Sequence, residues 1–460
     1  MKYGMKLKKY VTSTVDNVYA FKNVPTEVVG TIFAKASLDS RGIRDYLDDI
    51  IREGSMVHLP DTAYTEGFMK RGEGTYDHPS AKEHAFVQFC VEGVSHWFTE
   101  ILETVQAAKG LSFTEFGCCL RKQQNFIIPA ELDRHPELKE RYIAFGQECA
   151  ERYKEFVSLF FEIIKTKNPQ MEDVSIEKLA CENARSVLPL AAKSNVAITG
   201  NARAISDAIV EMLAHEGYNR EVAETAEKIR MHTAEVLPSL IGQLEATPYA
   251  RSYVAEFYQR RIRQVATLPV YSGPFVEVSD KALALSFTRV EDMVLGDLSQ
   301  ISQWNELPTV MRAFGKRIAI TCSEGCHHQI IRHRAFDFSL QLPDTRYGLI
   351  LPREVVTVSG TAVAKRIMDV LLLMRNKSHE LYDTLVQTGL IGIAPYVVLN
   401  ANARRLPFYV NMYGLAHFVT LHKEEHVQDE IRSVASQLER IFREEEQALS
   451  GFKMDRRSRE

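Results

Sequence analysis

The sequence predicts an α+β fold in which two tandem helix-rich copies, residues 1–245 and 246–460, are each built around a small antiparallel sheet. Three observations carry that expectation. Helical periodicity runs through most of the chain, the strand-like segments are few and short, and the two halves resemble each other weakly. A length of 460 residues exceeds what one core usually serves, which independently favours two domains or a duplicated one.

Residues 136–165 place Leu138, Tyr142, Phe145, Cys149, Tyr153, Phe156 and Phe160 at three- and four-residue steps, the pattern of one long amphipathic helix. Residues 360–386 and 425–447 read the same way, and Asn168-Pro169 terminates the first of the three. Ala85–Val91 and Arg317–Thr321 read as strands. The internal similarity lies in the order of parts. Phe126-Ile-Ile-Pro129 precedes one long helix and Leu349-Ile-Leu-Pro352 another, and each is followed by an apolar turn and a charged final helix. The offset between copies drifts because the first carries extra residues around 166–178, and Ala246-Thr-Pro-Tyr249 marks the boundary.

Apolar residues make up 45% and charged residues 25% of the chain, ordinary globular values that argue against disorder. A net charge of −4 excludes a general nucleic-acid or membrane-surface binder, so any basic site is local. Seven cysteines at irregular spacing suit free thiols in a reducing compartment. The basic start is followed by polar Val11-Thr-Ser-Thr-Val-Asp16 where a signal peptide needs an apolar run, and no apolar run is long enough to span a bilayer. A cytoplasmic protein is expected.

The densest chemistry lies at 329–347. Arg332, His333 and Arg334 put two permanent cations and an imidazole side by side, Gln329-Ile-Ile331 leads in, and Arg346 follows beyond Pro343. Arginine presents a rigid donor fork that fits phosphates and planar heterocyclic carbonyls, so the segment suits an anionic ligand; a solvated basic turn is the plain alternative. Cys322, Cys326, His327 and His328 invite a metal reading, but closed zinc sites need two separated ligand pairs, and no metal is expected.

This constellation resembles the flavin-dependent thymidylate synthases. Their hallmark is Arg-His-Arg followed at fixed spacing by Ser, Asn-Glu, Ser and Arg-Tyr. Here Arg332-His333-Arg334, Ser339 and Arg346-Tyr347 match, after two inserted residues, while Gln341, Leu342 and Asp344 depart. The stretch Tyr409–Arg432 is similar to the family's flavin-contacting helix, with Asn411, His417, His426 and Gln428 in it; His422 stands where the family has an arginine that polarises the uracil, and Pro395 about where it has another. In the first copy, Asp77-His78 through Glu83-His84 resembles an early flavin segment, and Glu182-Asn-Ala-Arg185 with Asn201-Ala-Arg203 resembles the nucleotide-arginine region. Where Arg-His-Arg should lie, that copy reads Glu103-Thr-Val. Asn201 aligns with Asn411 in preference to Asn402.

The resemblance implies FAD as cofactor, with NADPH and methylenetetrahydrofolate as co-substrates, and methylene transfer to C5 of dUMP. It implies catalytic roles for Arg332, Arg334 and His422, and cofactor contacts from His78, Arg332, His333, Arg334, Asn411, His417 and His426. Substrate contacts would come from Gln329, Ser339, Asp344, Arg346 and Arg185. Because the family is a homotetramer, two duplicated chains would rebuild a pseudo-tetramer as a homodimer. Plainer readings stand beside these: Arg185 as a helix-surface ion pair with Glu182, Asn411 as a helix cap, His422 as a surface histidine. A carboxylate at Asp344 would repel a phosphate unless paired, so either an arginine neutralises it or the nucleotide is not dUMP. The rival functions are flavin-dependent modification of another pyrimidine nucleotide and a non-catalytic nucleotide- or flavin-binding relative.

Overall fold

The structure is a computed structural model that describes residues 5–36, 42–52, 79–115, 126–238, 240–242, 244–259, 270–280, 315–339, 341–423 and 428–445. His78 and His426 lie outside the described residues. In chain order the first copy runs α1 (Thr26–Ala36), α2 (Ile43–Arg52), α3 (Pro79–His84), β1 (Phe86–Ser95), α4 (His96–Thr104) and β2 (Leu111–Glu115). It continues through α5 (Pro136–Lys167), α6 (Asp173–Ala184), β3 (Lys193–Asn201), α7 (Ala202–Leu213) and α8 (Arg220–Val236). After α9 (Pro248–Gln259), β4 (Val270–Tyr271) and β5 (Phe275–Asp280), the second copy repeats the plan: β6 (Gly315–Ser323), α10 (Glu324–Ile330) and β7 (Phe336–Phe338). Then come β8 (Leu349–Ile350), α11 (Arg353–Thr357), α12 (Ala362–Gln387), β9 (Ala403–Asn411), α13 (Met412–His422) and α14 (Asp429–Glu445).

The three long helices expected from periodicity are α5, α12 and α14, and the seven apolar positions chosen in α5 are all buried. Both expected strands form and run longer than expected, as β1 and β6. β6 is buried continuously from Ile318 to Ser323, so period-2 alternation survives only in its first residues.

Two compact units are present. One comprises Met1–Glu92, Thr104–Glu115 and Asn195–Ala255. Its N-terminal core is Leu7, Val11, Val28, Ile32, Tyr46, Leu47 and Ile50. β2 pairs antiparallel with β3, Leu111 opposite Gly200, and the Leu111 side chain fills the space a Cβ at Gly200 would need. Asn201 closes β3 and caps α7 by accepting a bond from Ala204 N–H.

The other unit comprises Gly93–Glu103, Phe116–Ser194 and Glu256–Glu460. Its sheet has the order β5-β6-β9-β7, all antiparallel, with Ile320 opposite Leu406 and Phe338 opposite Phe408. The buried face packs Ile318, Ile320, Phe336, Phe408 and Val410 against Leu415 and Phe418 of α13 and Ile431, Leu438 and Phe442 of α14. The order β6-β9-β7 repeats the order β1-β3-β2 of the first copy.

Inside this second unit, segments of the two copies meet reciprocally. Leu190 N–H donates to Val398 (2.9 Å) while Asn400 N–H donates to Leu188 (2.8 Å); Ala191 donates to Tyr396 (3.0 Å) while Ala401 donates to Ser186 (2.9 Å). Each bond has a mate displaced by 210 residues, and Pro189 bridges its own equivalent, Leu399. That is an isologous contact, the form a two-fold interface takes, here within one chain. Phe126-Ile-Ile-Pro129 and Leu349-Ile-Leu-Pro352 occupy matching places, Ile127 N–H on Ala191 O and Ile350 N–H on Ala401 O, both at 2.8 Å. The ion pairs Glu155–Arg366 and Glu148–Lys377 join α5 to α12.

Candidate functional site

The Arg-His-Arg segment leaves the C-terminal end of α10. That helix starts where Ser323 accepts the Cys326 N–H (3.1 Å). Ser323 is itself held by Glu430, which accepts from its N–H (2.7 Å) and its hydroxyl (2.6 Å). Burial raises the Glu430 carboxyl above its ordinary value although both bonds oppose the rise. The start of α10 is therefore tied to α14, and the turn that carries Arg332 inherits that anchor.

Three residues of the segment have three different surroundings. Arg334 is exposed. Arg332 is one-third exposed, its Nε 3.6 Å from a carboxylate oxygen of Glu103, whose side chain is fully buried. His333 packs its ring edge against Phe418, centroids 4.8 Å apart, and its Nε2 lies 2.8 Å from Nε2 of His422, the last residue of α13. Burial first, then His422, His417 and Arg332, pushes the His333 imidazole well below its ordinary range; burial and His417 push His422 down to about 4. Two neutral rings sharing one proton on the short contact satisfy both values. His417, exposed on α13, has its ring centroid 6.1 Å from that of His333.

The sign of the pH effect follows. Both imidazoles have folded values below the unfolded value near 6.5, so the unfolded chain binds protons that the fold refuses. The stability they contribute is complete above about pH 6.5 and is lost as pH falls from there towards 4. We expect the melting temperature to drop by several degrees between pH 7 and 5, and the His422→Gln protein, which retains a hydrogen-bonding partner for His333, to show a smaller drop in scanning calorimetry. Parallel pH profiles for the two proteins would rule this out.

Asp344 and Arg346 settle the question left by the sequence. The Asp344 carboxylate is buried and caps the 3-10 turn Thr345–Tyr347, accepting from Arg346 N–H (2.8 Å). The same carboxylate takes Arg346 Nε at 2.9 and 3.1 Å and an Nη from the same guanidinium. That bidentate bond, more than anything else nearby, raises the Arg346 pKa further above its ordinary value. The neutralising arginine is thus the one expected to hold a phosphate. Ser339 is exposed, its N–H on Pro407 O (2.8 Å).

Residues far apart in sequence converge on a cavity of about 310 Å³ inside the second unit, lined among others by Arg185, Ser186, Gly325, Asn400, Gln428 and Glu430. Arg185 Nη2 donates to the Gln428 side-chain oxygen (3.0 Å), and Gln329 Nε2 donates to the same oxygen. Arg185 is the first copy's contribution; Gln329 and Gln428 belong to the second. Neither Arg332, Arg334, Ser339, Arg346 nor Asn411 lines this cavity. Asn411 caps α13 through Gly414 N–H (2.8 Å), as Asn201 caps α7, which pairs the two asparagines structurally.

A buried charge cluster escaped the sequence reading. Arg404 is 1% exposed and places one Nη 2.6 Å from Glu100 and 3.0 Å from Glu324. His328 lies 3.4 Å from Glu100. Glu100, Glu324 and His327 bring ligand atoms within 4.8 Å of one another, but the Arg404 guanidinium already supplies the cation between the two carboxylates. The available signal was Glu100 and Glu103 one turn apart in a short helix with Trp97, Phe98, Ile101 and Leu102, where unpaired carboxylates are rarely tolerated. Burial raises the neighbouring Cys326 thiol well above its ordinary value, which makes it an unreactive packing residue. Among the described residues, no helix is long and apolar enough to cross a membrane.

Comparison with known proteins agrees with the motifs. The family described as thymidylate synthase complementing protein matches residues 29–239 and 305–446. A Chlamydia muridarum protein named UPF0159 protein is 20% identical over 494 aligned positions, covering 94% of this chain and 90% of its own length. A flavin-dependent thymidylate synthase of Mycobacterium avium is 27% identical over 193 residues, 42% of this chain and 74% of that protein. One from Clostridium tetani is 27% identical over 169 residues, 36% of this chain and 65% of that protein.

Proposed function

This chain belongs to the thymidylate synthase complementing protein family, and we propose that it is a divergent flavin-dependent thymidylate synthase, using FAD reduced by NADPH to pass a methylene from methylenetetrahydrofolate to C5 of dUMP. The observation that carries the reading is the convergence of Arg185 from one copy and Gln428 from the other on a single cavity, with Gln329 donating to the same Gln428 oxygen. Its volume of about 310 Å³ is in the range of small-ligand sites, and its lining is rich in polar and charged residues, Arg185, Arg432 and Glu430 among them.

When bound, the flavin would supply the redox chemistry. The residues present suit an electron-rich ring in part. Arg332 and Arg334 bring two cations to one partly exposed turn, where they would hold the anionic reduced form. His333 packs inward on Phe418 and His422, so its role would be to support that turn. His422, neutral at pH 7, would assist a uracil carbonyl by hydrogen bonding alone, more weakly than an arginine. Asn411 spends its side-chain oxygen on a cap and keeps its amide hydrogens for a ligand.

The test is direct. The purified chain is expected to be yellow and to release FAD on denaturation, and its expression is expected to rescue a thymidine auxotroph. Colourless protein that no flavin titration reconstitutes would overturn the proposal.

The Asp344–Arg346 pair favours a second reading, in which the substrate is a pyrimidine nucleotide other than dUMP. An arginine already held by two bonds to an internal carboxylate offers little to a phosphate. Asp344→Ser keeps a capping oxygen and releases the guanidinium, so dUMP is expected to bind on the order of tenfold tighter to that variant. Unchanged dUMP affinity by calorimetric titration would remove Arg346 from the site.

A further inference from the structure

The contact between the two copies is symmetric in its backbone and asymmetric in its charges. His96 and Trp97 N–H groups donate to Ala192 and Leu190, and their mates Glu324 and Gly325 donate to Asn402 and Asn400, so position 96 corresponds to 324 and position 100 to 328. Glu100 therefore faces its own equivalent, His328, at 3.4 Å. In a symmetric pair of identical chains that place would set like against like. At this position one copy carries an acid and the other a histidine. Glu100 and Glu103 stand on α4; His328 and Arg332, together with Arg404, stand opposite.

We propose that Glu103 of the first copy is the positioning residue for the Arg332 guanidinium, so that the first copy contributes to the second copy's site a fixed counter-charge in place of the cations it lacks. Glu103 is able to do this because its side chain is fully buried, in a helix closed by the Ser95 hydroxyl cap on Phe98 N–H (2.9 Å), and has no freedom to follow a moving partner. Arg332 is long and one-third exposed. A carboxylate beside Nε draws that end of the side chain towards α4 and biases the direction in which both Nη groups point. The distance of 3.6 Å is that of an ion pair with room to relax, which suits orientation better than a tight lock.

The inference rests on Arg332 serving the ligand site, so two readouts are needed on the full chain. The first needs no ligand: the rate at which phenylglyoxal modifies Arg332, followed by peptide mass spectrometry. The second is FAD affinity by fluorescence titration. Glu103→Gln, nearly identical in shape, is expected to fold, to label several-fold faster at Arg332 and to bind FAD about tenfold more weakly; Glu103→Asp is expected to restore part of both. A folded Glu103→Gln protein with wild-type labelling and wild-type affinity overturns the proposal. If the wild type binds no FAD, the thymidylate synthase reading fails and the labelling rates alone decide whether Glu103 positions Arg332. If Glu103→Gln does not fold, Glu103→Leu, which fills the buried space without a charge, decides: labelling of Arg332 at the wild-type rate overturns the claim.

Discussion

Replacing Arg404 by alanine is expected to destabilise the protein by about 3–5 kcal/mol, the usual consequence of stripping one partner from a buried ion cluster. The guanidinium is 1% exposed, and Glu100 and Glu324, at 2.6 and 3.0 Å, are 2% and 0% exposed. Burial alone works against its charge, and the two carboxylates outweigh that and hold its pKa above the ordinary value. Without it, two carboxylates face each other in a dry interior beside His327 and His328. The size of the penalty comes from those stranded anions, not from the worth of the original pair. The triple variant Glu100→Gln, Glu324→Gln, Arg404→Met should therefore recover much of the loss. Urea denaturation of both proteins measures this. A single variant within about 1 kcal/mol of wild type would mean that the cluster is solvated or its carboxylates protonated.

Arg332→Ala is expected to abolish flavin retention or to reduce turnover by on the order of 100-fold, the scale of losing one preorganised charge at a developing anion. Arg332→Lys separates charge from shape, because an ammonium keeps the cation but cannot reproduce the planar donor edge. If shape matters, the lysine variant behaves closer to alanine than to wild type. Arg332→Ala also leaves the fully buried Glu103 carboxylate without this counter-charge, so its melting temperature is expected to fall, whereas Arg332→Lys, which keeps the cation, should melt close to the wild type. Wild-type turnover and flavin content in Arg332→Ala would remove this residue from the site, and with it the argument for Glu103.

The parts that were legible in the sequence are those written in short-range pattern. Helix α5 announced itself because seven apolar residues recur at helical spacing, and burial of one face is enough to fix its type. Arg332-His333-Arg334, with Ser339 two residues late and Arg346-Tyr347 at family spacing from it, identified the family because such a cluster is contiguous. The duplication showed as a repeated order of parts, and the reciprocal hydrogen bonds around Pro189 and Leu399 give it a physical form. What the sequence could not display was who partners whom. Asp344 was recognised as out of place two residues from Arg346, yet only the 3-10 turn brings its carboxylate onto that guanidinium.

Local periodicity, chain length and one contiguous motif determined by themselves that this is a duplicated, helix-rich chain with its Arg-His-Arg motif in the second copy. The tertiary structure alone decided that His333 packs against His422, that Arg185 meets Gln428 from the other copy, and that Glu100 and Glu103 answer Arg404, His328 and Arg332. The reason is the range of the forces involved. Backbone propensity and amphipathic spacing act between near neighbours in sequence, whereas the desolvation of a charge depends on whatever the folded chain sets beside it.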